Sequence, residues 1–240
     1  MRFIIRKIFA IIMLLLSALE SCAQQTVFNV PSADVTPEGK LFLQHESQFR
    51  PYNPHSFWLG THYTAVGIGH NTELDATLFN VSTPRSNNIT LGLGFKSAMP
   101  VAGLKEKFPE REIKVTVGSE VLVSLEGEGV GNWSYAHLSG RLPKLNTRLT
   151  AGISTGTKQV FGKDTVDFIA AVEQPVTKKL SLIGDWYSGH ENFTGFLIVG
   201  FSYKLPEDTA LYAGFQIPNS NANGHSGFVI EVSKILPLKH

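Results

Sequence analysis

The chain has 240 residues, 42% hydrophobic and 17% charged, with 21 basic and 20 acidic side chains. That length suits one large domain. The even charge balance leaves no basic footprint for nucleic acid, and the single cysteine excludes a disulfide framework.

The N-terminus reads as a signal peptide over residues 1–23. Arg2, Arg6 and Lys7 form a basic start, and Ile8 to Leu19 run apolar apart from Ser17. The small-residue stretch Ser21-Cys22-Ala23 completes the layout of a secretory signal. A spanning helix needs about 20 apolar residues, and this run is shorter. A cut before Gln24 puts Ser21 and Ala23 at the small-residue positions, and a lipoprotein-type cut before Cys22 is the alternative. Removing residues 1–23 takes away Arg2, Arg6, Lys7 and Glu20. The 21 basic and 20 acidic residues become 18 and 19, and no cysteine is left.

Residues 24–240 form one domain without low complexity or a strict repeat. No apolar run there is long enough to span a bilayer as a helix. A membrane crossing would therefore need strands closed into a barrel, because every backbone N–H and C=O in lipid requires an internal partner. Period-two alternation broken by turn residues predicts about twelve strands. They fall near 40–50, 56–69, 72–81, 88–97, 112–125, 132–142, 147–157, 165–174, 178–189, 193–204, 209–217 and 226–235.

In chain order, Ile89, Leu91, Leu93 and Phe95 alternate with Thr90, Gly92, Gly94 and Lys96. Val115, Val117, Val121 and Val123 alternate with Lys114, Thr116, Gly118 and Glu120. Leu180, Leu182, Gly184 and Trp186 alternate with Ser181, Ile183, Asp185 and Tyr187. Over 192–204, Leu197 and Val199 are flanked on their face by the aromatics Phe193, Phe201 and Tyr203. Aromatics at strand ends fit a lipid interface. A soluble sandwich and a barrel share this alternation; one faces its polar residues to solvent, the other to a lumen.

Connection lengths favour the barrel. Those after even-numbered strands are mostly short, such as Gly69-His70-Asn71, and those after odd strands mostly longer, such as 218–225. Ser97 to Arg111 is the exception. It is either a surface turn of helix or a sign that the strand count is off by one. The fold class expected is all-β, a single antiparallel up-and-down transmembrane barrel.

Glu46, Glu73, Asp75, Lys96, Arg148, Asp185 and Lys204 are the lumen-facing candidates. They would either line a polar path or cross-link into a salt-bridge network. The eight histidines show no metal spacing, so no metal or other cofactor is expected. His190 and His225 each stand near a serine. Hydrolysis needs a base within reach of the nucleophile, and the adjacent His225 and Ser226 would point to opposite faces. Turn residues are the preferred reading.

The stretches Gly184-Asp185-Trp186-Tyr187-Ser188-Gly189 and Tyr212-Ala213-Gly214-Phe215-Gln216-Ile217-Pro218-Asn219 resemble those of uncharacterised bacterial transporter barrels. The segment from Asn29 to Lys40 fits the same group. The chain from residue 24 onward resembles the Gram-negative outer-membrane β-barrel class, from which it departs in ending Leu236-Pro237-Leu238-Lys239-His240, without the usual terminal aromatic. Phe228 would take that part internally, or the last strand lies earlier. The resemblance implies an outer-membrane location, with lipid, the barrel-insertion machinery and a small solute as partners. It implies a passive pore or solute channel and no enzyme; the alternatives are a partner-binding barrel without conductance and, third, a lipid hydrolase active at the rim.

Overall fold

The computed structural model describes residues 26–52, 57–83 and 89–238. The signal segment and both candidate cut sites lie outside the described residues.

Twelve antiparallel strands close on themselves. They are β1 (Lys40–Arg50), β2 (Phe57–Gly69), β3 (Thr72–Thr83), β4 (Thr90–Pro100), β5 (Lys114–Ser124), β6 (Val130–Arg141), β7 (Arg148–Gly156), β8 (Val166–Pro175), β9 (Leu180–Tyr187), β10 (Phe196–Leu205), β11 (Thr209–Pro218) and β12 (Gly227–Pro237). Each strand pairs with its sequence neighbour, and β1 pairs with β12 from Lys40↔Pro237 to Phe49↔Phe228. Closure removes both sheet edges, so no row of backbone donors is left open. A two-sheet sandwich is thereby excluded.

The side-chain pattern is inverted relative to a soluble protein. On β5, Val115, Val117, Val121 and Val123 are exposed on the outside, while Thr116 and Glu120 are buried inside. Leu182 and Trp186 of β9, and Leu197, Val199, Phe201 and Tyr203 of β10, are likewise exposed. Eleven tilted residues, as in β5, rise about 28 Å, close to the apolar band of a barrel in lipid. Polar residues that break the outer face bond to one another. Ser119 and Ser134 lie 2.8 Å apart, and Asn132 Nδ2 donates to both hydroxyls. His45 Nε2 lies 2.9 Å from the Ser47 hydroxyl, and the His45 and His62 rings are 4.7 Å apart.

The two rims differ as the loop lengths predict. His70 and Asn71 alone join β2 to β3, both with positive φ, as a two-residue turn matching strand twist requires. The exceptional connection keeps the strand count at twelve: after β4 it forms a turn of α-helix (Leu104–Lys107) and a 3₁₀ turn (Pro109–Arg111). On the long-connection rim, loops 157–165, 188–195 and 219–226 are knit together. The Asp164 carboxylate accepts from the His190 and Glu191 amides at 3.0 and 2.9 Å. These two donors, Glu191 first, hold its pKa below the ordinary value. Asn192 donates to Asp167, and Asn223 donates to the Asn192 carbonyl at 2.7 Å. Phe228 opens β12 at this rim and does not lie near the chain's end.

Candidate functional site: a lumen occupied by the N-terminal segment

Residues 26–39 precede β1 and run inside the barrel. The segment enters at the short-connection rim, where Glu38 bridges Gly67 and the Gly39 amide donates to the Gly67 carbonyl. Gly67 is needed there, since a Cβ would fall 2.1 Å from the Pro37 carbonyl oxygen. The Thr36 amide then donates to Glu73 of β3 at 2.6 Å. Lys114 of β5 reaches the Ala33 carbonyl at 3.1 Å. Arg148 of β7 grips Asp34 with two bonds, 2.8 and 3.0 Å. Burial would raise the Asp34 pKa, but the charge and hydrogen bonds of Arg148, together with the charges of Lys114 and Arg141, outweigh it and hold the carboxyl at about 2.

At mid-barrel the segment makes a tight turn, with the Val27 amide bonded to the Val30 carbonyl at 2.8 Å. Asp185 of β9 receives the amides of Phe28, Asn29 and Val30 on one oxygen, at 2.9, 2.7 and 2.7 Å. Phe28 lies over Gly214 of β11, where a Cβ would come within 2.6 Å of its ring. Val27, Phe28 and Val30 are buried in one apolar cluster with Ile198, Tyr212 and Val229 of the wall. The segment thus touches walls on opposite sides of the lumen. Side chains lining a wet passage would be partly exposed; Glu73 and Thr116 are 0% exposed and Lys96 1%.

Six of the seven candidate residues lie on the inner face. Glu73 and Lys96 form a buried ion pair at 3.1 Å, and Tyr63 donates to the same carboxylate. Glu46 accepts from Gln48 at 2.7 Å and stands opposite Glu231 across the β1–β12 seam. Arg148 and Asp185 hold the segment, and Asp75 faces the space above it. Lys204 is the correction. It shares the inward parity of β10 but sits one residue from the strand end, where the short-connection rim leaves it exposed.

The lumen holds acids beyond the seven candidates: Glu120, which alternation places on a polar face, and Asp167 and Glu231. Among the described residues, the buried charged side chains include seven carboxylates (Glu46, Glu73, Asp75, Glu120, Asp167, Asp185, Glu231) against Lys96 and Arg148. Above the segment is a cavity of about 920 Å³ that reaches Glu128, Gly129 and Gln159 at the long-connection rim. Its floor includes Phe28 and Pro31, and its walls carry Asp75, Glu120, Tyr63, Trp133 and Tyr135.

Solved structures similar to this chain are outer-membrane porins and related barrels. The KdgM porin, in complex with disordered oligogalacturonate, has 9% identity and a TM-score of 0.49, covering 81% of this chain and 98% of that one. An outer membrane protein of Acinetobacter baumannii has 9% identity and a TM-score of 0.49, over 84% and 100%. The NanC porin has 11% identity and a TM-score of 0.48, over 80% and 98%. At such values the fold rests on the strand pairings alone. No family model and no curated protein matches the chain.

Of the serines near the two loop histidines, Ser188 accepts the Phe168 amide on its hydroxyl at 2.9 Å. The Ser220 hydroxyl reaches His190 at its backbone carbonyl.

Proposed function

We propose that the protein is an outer-membrane barrel that conducts small solutes and is held shut by its own N-terminal segment. The location is supported by the inverted pattern: the apolar outer belt is the face a bilayer requires, and an apolar surface of that extent on a soluble monomer would be unusual. Conduction is supported by the size of the ring. Eight strands leave an interior that side chains fill, and sixteen leave an aqueous channel. Twelve lie between, and here a separate stretch of chain occupies part of the remainder.

The observation that carries the reading is the way the segment is held. Its attachments are mostly hydrogen bonds and one ion pair to wall residues, with a single apolar cluster at its tip. Such contacts can be exchanged for water without unfolding the barrel. The surplus of lumen carboxylates favours cations over anions in the opened state.

The test is single-channel recording in planar bilayers. The chain from Gln24 onward should be silent or open rarely, and a variant lacking residues 24–36 should conduct steadily and prefer cations. Heat-modifiable gel mobility would show that the variant is still a barrel. A folded deletion variant without conductance would sink the channel reading and leave a barrel with a binding role.

A further inference from the structure

The cavity above the segment carries an acidic pair whose hydrogen bonding is incomplete. The hydrogen-bonded register runs Asp75↔Gly94, Gly94↔Glu120 and Glu120↔Trp133 across β3, β4, β5 and β6. Two glycines bare the β4 wall between the acids. A Cβ on Gly92 would fall 2.7 Å from Glu120 Oε2, and one on Gly94 would fall 2.7 Å from Glu120 Cγ. Glu120 therefore lies flat along β4 toward β3, where its Oε1 accepts from Thr77 at 3.1 Å. Its Oε2 has no hydrogen-bond partner, and neither has Asp75 Oδ1. Both side chains line the cavity, and Glu120 is 4% and Asp75 9% exposed.

A buried carboxylate oxygen without a donor is costly, and two facing one space are an unfinished site. Lys96, the interior cation on the adjoining strand, is ion-paired with Glu73 at 3.1 Å. A proton shared between the two carboxyls would join these oxygens in one O–H···O bond, but it would leave the pair a negative charge facing the cavity. A primary ammonium has three donors and a charge, enough for both.

Aromatic rings flank the pair. Trp133 is the register partner of Glu120, and its indole is fixed by a 2.7 Å bond to Ser154. Tyr135, one inward position below on β6, packs at 5.1 Å from Trp133 and lies across Gly118. Ring faces beside carboxylates hold a cation by both charge and quadrupole. About 920 Å³ is far more than a hydrated metal ion needs and suits an organic body.

We infer that the cavity between the N-terminal segment and the long-connection rim binds a small organic primary ammonium with an apolar or aromatic body, its nitrogen seated between Asp75 and Glu120. The inference rests on the lumen being a solute space, and it names the class of solute.

The test uses the chain from Gln24 onward, folded in detergent micelles, and isothermal titration calorimetry. The probes are phenethylamine and 3-phenylpropionate, which share a phenyl ring on a short carbon chain but carry opposite charges. Phenethylamine should bind saturably and 3-phenylpropionate should not. Glu120→Gln and Asp75→Asn should each weaken phenethylamine at least tenfold, while Glu207→Gln, on an exposed turn, should leave it unchanged. If either pair variant fails to give a heat-modifiable barrel, the other carries the comparison. Equal binding of both probes, or full-strength binding by a folded Glu120→Gln or Asp75→Asn barrel, would overturn the inference. No current is measured, so the outcomes separate. A barrel whose deletion variant conducts but which ignores phenethylamine loses this inference alone, and one that binds phenethylamine while its folded deletion variant stays silent loses only the channel.

Discussion

Arg148 of the wall and Asp34 of the inner segment are joined by two nearly parallel bonds, 2.8 and 3.0 Å long, with Arg148 5% exposed. Glu173 of β8 is a third member at 3.5 Å. Removing one partner of a buried pair leaves the other charge uncompensated, at a cost of about 3–5 kcal/mol. Arg148→Met, which keeps the stem, and Asp34→Asn should therefore both raise open probability in bilayer recordings. The double variant should open no more than the stronger single one, because the two side chains act as a unit. Additive openings would show that they act separately.

Acid should loosen the same contact. A carboxyl whose folded pKa is depressed contributes stability above its unfolded value and loses it as pH falls through the folded one. For Asp34 that window runs from 3.8 down to about 2. Open probability should be flat near neutrality with respect to this group and rise below about pH 4. The rise attributable to Asp34 should be missing in Asp34→Asn, which bilayer recordings over a pH series would read directly.

Asp185→Ala should free the tip of the segment. It strips the acceptor from three backbone amides, each costing about 1–3 kcal/mol when left buried. Amide hydrogen exchange at Phe28, Asn29 and Val30 should accelerate strongly while the β5 and β6 ladders keep their protection. Unchanged exchange at those three amides would mean that the apolar cluster alone holds the tip.

Gly67→Ala tests close approach without altering a charge. The new Cβ would meet the Pro37 and Thr36 carbonyl oxygens at 2.1 and 2.3 Å, both of them backbone atoms. Overpacking of this kind costs about 1–3 kcal/mol. The segment is the part free to yield, so the variant should open more often yet keep its heat-modifiable mobility. A loss of the barrel instead would make Gly67 a requirement of the wall.

Much of the wall was legible in the sequence because a strand with one face in lipid and one in the lumen must alternate. Ile89 to Phe95 shows this without a break and Val115 to Val123 with Ser119 alone interrupting it, and their strands fall within a few residues of expectation. Residues 26–39 were not legible as an inner segment. They carry no period, and Val27, Phe28 and Val30 take their burial from walls more than about 100 residues away in sequence. Glu120 was visible as a polar-face residue. Its pairing with Asp75 depends on the bare Gly92 and Gly94 between them, which local pattern does not express. Lys204 fell outside the lumen because parity gives a face and says nothing of depth.

The inner segment is covalently continuous with β1 through Gly39, whose positive φ turns the chain into the wall. A tethered blocker of this kind returns at a rate that does not depend on how many barrels the membrane holds. Short flexible tethers give effective concentrations in the millimolar range, and loops of about ten residues close in about 10–100 ns. Openings would therefore end by an intramolecular event, seen as brief flickers unless a ligand or acid holds the segment away. A free peptide of residues 26–38 added to the deletion variant would have to approach millimolar concentration to quiet it as the tether does.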